Sequence, residues 1–150
     1  MAVHKNSPIN TLAQIKGQKV VFQKSSASHY FIIKALEEVG LKYSDIKVLS
    51  MPNVEARGAF IQGTIPVWVT GDPHLALVEK LHSARVLRDA TNIATPGGYY
   101  VGTGEFAREN LKLLRIILEE IDKNGQWAEA NRKEVAKLIA PVLKIDLPIQ

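Results

Sequence analysis

The sequence predicts an α/β fold, in which an open, mostly parallel sheet is flanked by helices. Short apolar runs rich in β-branched and aromatic residues alternate with stretches whose apolar residues recur every three or four positions. The first of these runs is apolar on both faces, which is typical of an inner strand of a parallel sheet. Because strands and helices alternate along the chain, the helices are expected to connect parallel strands.

The first elements are a strand, a tight loop and a helix. Residues 19–23 hold the run Val-Val-Phe after a turn at Gly17, and residues 28–39 show helical spacing that ends at Gly40. Asp72 and Pro73 suit the cap and first turn of a later helix. The other predicted elements are strands at residues 46–51, 66–70, 84–87 and 99–102, a helix at residues 54–61, and a loop that runs through Gly98.

The last third of the chain changes character. Residues 105–123 predict one long helix, and a second helix is expected to begin at Asn131. Their apolar faces are broader than an exposed helix needs, so they should pack against the sheet or against a body outside this chain. We therefore expect an α/β ligand-binding lobe at residues 1–104 and a C-terminal helical segment at residues 105–150.

Composition excludes several classes of function. The 150 residues suit one globular domain, and the net charge of +4 is modest and mixed with acidic residues, which argues against nucleic-acid binding. The chain has no cysteine and its four histidines lack a metal-binding spacing, so no metal or cofactor is expected. It shows no signal peptide and no apolar run long enough to span a membrane, which predicts a cytoplasmic protein if the chain is complete.

The stretch KSSASH, residues 24–29, is the best candidate for a ligand site. It connects an inner strand to a helix N-terminus, where free amides and the helix dipole attract anions. The predicted ligand-binding residues are Ser25, Ser26, Ala27, Ser28 and His29. The alternative is that the serines only cap the helix and satisfy their own backbone.

Two residues farther along the chain join this candidate site. Trp68 lies near the carboxyl end of a predicted strand, where α/β sheets bind ligands, although a strand tryptophan is more often a core residue. Asp72 is expected mainly to cap the next helix and only secondarily to contact a ligand. His74 and His82 are expected on the surface of that helix. No serine, histidine and acid form a recognisable catalytic arrangement, so the sequence does not predict an enzyme.

Taken together, these motifs resemble the periplasmic substrate-binding proteins of ABC importers for aliphatic sulfonates, with taurine- and nitrate-binding relatives. The resemblance rests on the hydroxyl loop with its histidine, the ARGAF helix and the W-x-x-x-DP strand end, which occur in the family's order and spacing. It implies a type II periplasmic binding protein fold with two lobes. This chain then corresponds to the second lobe and the C-terminal helices.

The resemblance also implies which residues and partners matter. Residues 25–29 would bind the sulfonate or a similar small oxyanion, and Trp68 would line the cleft. The family usually has glycine where Ser25 stands, serine where Ala27 stands, aspartate where Pro66 stands and tryptophan where Gly71 stands. The implied partners are an alkanesulfonate, taurine or nitrate and the importer's membrane permease, and the implied location is the periplasm.

A second hypothesis is a truncated or split lobe that acts mainly through protein association, including self-association, through its apolar helical face. A third is the enzyme branch of this fold that makes pyrimidines. That branch depends on a cysteine-rich motif, which a chain without cysteine cannot supply.

Overall fold

The computed structural model describes residues 1–93 and 98–143. Contacts divide the chain into two units, Met1–Gly97 and Gly98–Gln150, so the first unit ends before the expected division at residue 104. The predicted loop through Gly98 and the predicted C-terminal segment extend into residues 94–97 and 144–150, which lie outside the described residues.

The first unit is an α/β sheet with helices on both faces. Its strands lie in the order β3-β2-β4-β1-β5. Strand β2 pairs in parallel with β3 and β4, whereas β1 pairs antiparallel with β4 and β5, so four of the five strands run the same way. The predicted fold class is confirmed. The strands are β1 (Ala2–His4), β2 (Lys19–Phe22), β3 (Lys47–Ser50), β4 (Val67–Trp68) and β5 (Ala84–Val86), and the helices are α1 (Ala27–Glu38), α2 (Asn53–Ile61) and α3 (His74–Leu81).

Two buried clusters lie on opposite faces of this sheet. One joins β2 and β4 to helix α1, and the other joins the same strands to helices α2 and α3. Successive side chains of a strand point to opposite faces. Val20 and Phe22 therefore belong to the α1 cluster, while Val21 between them belongs to the other.

Helix α1 begins and ends close to where the sequence predicts. Ser26 stands at its N-cap with extended backbone, and Val39 stands at its C-cap. Gly40 follows with a φ of 69°, and its N–H donates to the Glu37 carbonyl at 3.1 Å. This left-handed residue explains why the helix stops there.

The second unit contains three helices in its described part, α4 (Gly104–Glu109), α5 (Leu111–Ala130) and α6 (Arg132–Val142). The prediction of one helix through residues 105–123 is wrong, because the chain turns out of helical geometry at Asn110. The Asn110 side chain donates to the Phe106 carbonyl at 3.2 Å, a local bond that competes with helix continuation.

The predicted strand at residues 99–102 is also wrong. These residues form no strand, and Tyr99, Tyr100 and Val101 are at least three-quarters exposed. Their β-branched and aromatic side chains fit a sheet, but strand formation needs a neighbouring strand as well. Across residues 1–93 and 98–143, no helix is both long and apolar enough to cross a membrane.

Candidate functional site

A cavity of about 250 Å³ opens at the carboxyl ends of the parallel strands β2 and β4. The loop after β2 leads to helix α1 on one face of the sheet, and the loop after β4 leads to helix α3 on the other. A crevice forms where neighbouring loops diverge in this way, and ligands of open α/β sheets bind there. The cavity is lined by Met1, Ala27, Ser28, Phe31, Val69, Thr70, Gly71, Asp72, Leu75 and Ala90.

The N-terminus of α1 provides backbone donors at this cavity. Ser26 does not cap the helix with its side chain, because its hydroxyl instead donates to the Gln23 carbonyl at 2.6 Å. Ala27 and Ser28 occupy the first two helical positions, whose N–H groups have no acceptor within a helix. Both residues line the cavity, so the N-terminus of helix α1, the positive end of its dipole, lies at the cavity wall.

Ser25 and His29 hold the loop instead of lining the cavity. Ser25 has a φ of 60°, and its backbone N–H donates to Nδ1 of His29 at 3.2 Å. The His29 ring stacks against Phe22 at a centroid distance of 5.3 Å and lies 5.6 Å from the Tyr43 ring. Of the five predicted residues in this loop, the structure thus brings Ala27 and Ser28 to the cavity and uses the others to shape the turn.

Trp68 lies on the opposite side of the sheet from α1. Its side chain is fully buried in the cluster formed with α2 and α3, 5.8 Å from the Phe60 ring. Val69, the next residue, belongs to the α1 cluster and lines the cavity. The indole is therefore a core group in this structure, and its Nε1 has no hydrogen-bond partner in the part of the chain that is described.

Asp72 supports helix α3, as the sequence suggests, and lies at the cavity wall. One carboxylate oxygen, Oδ1, accepts a hydrogen bond from the Ala76 N–H at 3.1 Å and so supports the first turn of α3. The residue also lines the cavity, next to Thr70 and Gly71. The Thr70 side chain is buried and its hydroxyl contacts the Asn53 side chain at 3.4 Å.

The expectation that His74 lies on the helix surface is wrong. His74 is 8% exposed, and its ring lies 6.0 Å from that of Trp68. Burial lowers the pKa of His74 below its ordinary value of 6.5, and the positive charge of Arg57 acts in the same direction. His74 follows a helix cap, so its position in the sequence resembles that of a surface residue, and the packing of α3 beside the buried Trp68 encloses it.

Sequence reasoning missed the apolar wall of the cavity. Phe31, Val69 and Leu75 line it, and none of them is among the predicted ligand-binding residues. Their proximity to a strand's carboxyl end or a helix's first turns was the available signal. Within the described ranges, no three His, Asp or Glu side chains are grouped so that they could hold a metal ion.

A family model described as "NMT1/THI5 like" matches residues 1–135. The chain belongs to this family. An aliphatic sulfonates-binding protein of Escherichia coli (strain K12) is 32% identical over 147 residues, which cover 98% of this chain and 46% of that protein. The chain thus spans about half the length of the curated relatives that it matches.

Two solved structures of sulfonate-binding proteins are similar to this chain. The periplasmic aliphatic sulphonate binding protein SsuA from Escherichia coli matches with a TM-score of 0.85 and 32% identity, over 97% of this chain and 50% of that one. The alkanesulfonate-binding protein SsuA from Xanthomonas axonopodis pv. citri, bound to MOPS, matches with a TM-score of 0.83 and 26% identity over the same shares. Half of each relative therefore corresponds to both units of this chain.

Proposed function

We propose that this chain is a solute-binding component, or half of one, that recognises an alkanesulfonate or a similar small oxyanion. The observation that carries the proposal is the apolar cavity where the two loops diverge, which the first two residues of helix α1 line. The sulfonate-binding relatives support the choice of anion. We place the protein with ABC import systems and in the periplasm, with the importer's permease as its partner.

The ligand contacts follow from the lining of the cavity. The N–H groups of Ala27 and Ser28 and the Ser28 hydroxyl donate to the oxyanion, and an alkyl chain packs against Phe31. Ser25, Ser26 and His29 hold the loop in the required shape. We leave Trp68 out of the contact set because its side chain is buried on the other face. MOPS, which the Xanthomonas relative binds, is itself a propanesulfonate.

This role needs no chemical step. Binding requires only donors for the anion and an apolar wall for the alkyl group, and the cavity supplies both. We therefore propose that the chain is not an enzyme. Anion selectivity among alkanesulfonates, taurine and nitrate would depend on how well the apolar part fills the space beside Phe31.

The proposal is tested by an NMR titration of the labelled chain with butanesulfonate. The variant Ala27→Pro removes one amide donor at the first helical position, where proline is well tolerated. Its neighbour Ser26 already has the extended backbone, with a ψ of 175°, that proline requires before it. Ala27→Val is the matched control, since it adds a comparable side chain and keeps the N–H.

We expect saturable shifts of the Ala27, Ser28 and Gly71 amides, and a loss of affinity of about tenfold in Ala27→Pro, since one charge-assisted hydrogen bond is worth roughly 1.5 kcal/mol. Ala27→Val should lose much less. Equal affinities in both variants would contradict the proposal. So would the absence of shifts in the folded wild-type chain at tens of millimolar ligand, a concentration that corresponds to a binding free energy of about 2 to 3 kcal/mol.

A second candidate function is protein association through the second unit. Helix α5 exposes large apolar side chains on one face, among them Leu111 at 66% and Leu118 at 44%, which lie two turns apart. Exposed apolar clusters of this kind mark interaction surfaces in soluble proteins. We propose a second copy of the chain as the partner, with α5 as the contacting element.

A further inference from the structure

We propose that the amino-terminal end of the sheet carries a basic surface that binds to a bilayer containing anionic phospholipids. This surface, the lysine patch, consists of Lys16, Lys19, Lys42 and Lys47, all of which are exposed. It lies at the opposite end of the strands from the cavity, because the cavity opens at their carboxyl ends. The inference goes beyond the proposed function and does not depend on which ligand the cavity binds.

The pairing of strands β2 and β3 brings two of these lysines together. Lys19 stands directly beside Lys47 in the parallel register, and each is the first residue of its strand. Neighbouring strands lie about 4.8 Å apart, and residues in register point to the same face, so the two side chains leave the sheet side by side. Like charges in such positions repel each other and weaken the pairing. An anionic surface would relieve this repulsion.

The turns before the two strands contribute the other two lysines. The Gly17 N–H donates to the Asp45 carbonyl at 2.7 Å, and the Lys42 N–H donates to the Asp45 carboxylate at 2.8 Å. Through Asp45, the turn that holds Lys16 is joined to the turn that begins at Lys42. The patch therefore combines two segments that are distant in the sequence, and no single segment shows it.

The charge of the lysine patch is not neutralised within the described residues. None of its four lysines forms an ion pair there. Over residues 16–19 and 42–47, four lysines and one aspartate leave a net charge of +3. The carboxylate of that aspartate, Asp45, already accepts a backbone hydrogen bond. A partner with negative charge would therefore meet an uncompensated positive surface.

The type of basic residue favours a lipid surface over an acidic protein. Protein–protein interfaces are enriched in arginine, whose planar group matches carboxylates, and contain few lysines. All basic residues of the patch are lysines, and an ammonium group binds phosphate as a point charge. Each lysine close to an anionic bilayer raises the binding constant about fivefold. Four lysines are thus sufficient for weak attachment that salt reduces.

The test measures binding of the full chain to sucrose-loaded vesicles by sedimentation. One set of vesicles contains only phosphatidylcholine, and the other contains equal parts of phosphatidylcholine and phosphatidylglycerol. The double variant Lys19→Gln with Lys47→Gln removes two charges from the lysine patch. Lys112→Gln with Lys133→Gln is the matched control, because it removes two exposed lysines of the second unit that form no ion pair with the described residues.

We expect the wild type to bind only the vesicles with phosphatidylglycerol, and less tightly as the ionic strength rises. The binding constant should fall about 25-fold when Lys19 and Lys47 are replaced, and less than about twofold in the control. Amide spectra verify that both variants are folded.

Two results would overturn the inference: no vesicle binding by the wild type at low ionic strength, or equal losses in the two double variants. A third result would replace the partner. If the wild type ignores the vesicles but is retained on immobilised polyglutamate, and replacement of Lys19 and Lys47 abolishes that retention, the patch fits an acidic protein and the lipid assignment is wrong.

Discussion

The β2–α1 loop shows how individual polar side chains leave a helix end open. The Ser26 hydroxyl bonds backwards to Gln23 and the Ser25 N–H bonds to His29, so neither is used to cap α1. A serine in the N-cap position normally accepts from the second or third amide of its helix. The Ser26 side chain accepts no such hydrogen bond, and the amides of Ala27 and Ser28 stay available to a ligand.

The candidate site could be predicted only in part from individual residues of the sequence. Ser28 and Asp72 follow inner strands, so their polar character and their place at the sheet edge together indicated a ligand site. Trp68 shares that place, but the two-residue period of a strand sends its side chain to the opposite face from Val69. Which face carries the cavity depends on how α1 and α3 pack, and no local pattern contains that information.

Replacing His74 by phenylalanine should flatten the pH dependence of stability. Because burial lowers the folded-state pKa of His74, the unfolded chain binds a proton more readily than the folded chain as the pH falls below about 6.5. The free energy of unfolding of the wild type should therefore decrease with falling pH, by at most about 1.4 kcal/mol per unit from this group. Urea unfolding at several pH values measures both slopes, and identical slopes in the two proteins would refute the assignment.

At the scale of elements, the pattern of apolar residues predicted β2, α1, β3, α2, β4 and β5 because each has a clear period or a continuous apolar run. Strand β1 was missed, since three residues are too few to show alternation and its pairing with β4 and β5 is formed by distant parts of the chain. The break at Asn110 was missed for a related reason: the apolar spacing continues across it.

Two glycines should respond to alanine with opposite signs. Gly40 has a φ of 69° after α1, so Gly40→Ala forces a side chain into the left-handed region and should cost about 1 kcal/mol of unfolding free energy. Gly58 lies inside α2 with nothing within 4 Å of an added Cβ, so Gly58→Ala should stabilise by about 0.5 to 1 kcal/mol. Chemical denaturation provides both values, and a shared sign would contradict the geometry described for one of them.

The exposed face of α5 leads to a prediction about association. Leu118→Glu should shift a self-associated population of the chain toward monomer, because it places a charge within the apolar surface. Asn124→Glu adds the same charge at an exposed polar position of the same helix and should leave association unchanged. Sedimentation velocity distinguishes these results, and a wild-type chain that is monomeric at high concentration would remove the basis for this candidate function.

Considered as a whole molecule, the chain contains its cavity within one unit. Both buried clusters and every lining residue of the cavity fall within Met1–Gly97. The chain covers 50% of the Escherichia coli SsuA chain, and within the described residues one unit alone lines the cavity. We therefore expect weak, millimolar binding that improves only when another surface covers the cavity.

Expression of residues 1–97 alone should produce a folded protein that retains this binding. Its core does not draw on the second unit, so its amide spectrum should overlay that of the full chain and butanesulfonate should shift the same signals. An unfolded fragment would show that the helices of the second unit are needed for the stability of the first. A folded fragment without ligand shifts would show that they are needed for the site.

The divergence of the two loops at the cavity has a mechanical consequence. The α1 loop belongs to the layer on one side of the sheet and the α3 loop to the layer on the other. A molecule that touches both loops connects the two helix layers at the edge of the sheet. Its binding energy therefore stabilises the packing of both layers against the sheet. Amides in α1 and in α3 should then gain protection from hydrogen exchange together, although the sheet lies between them.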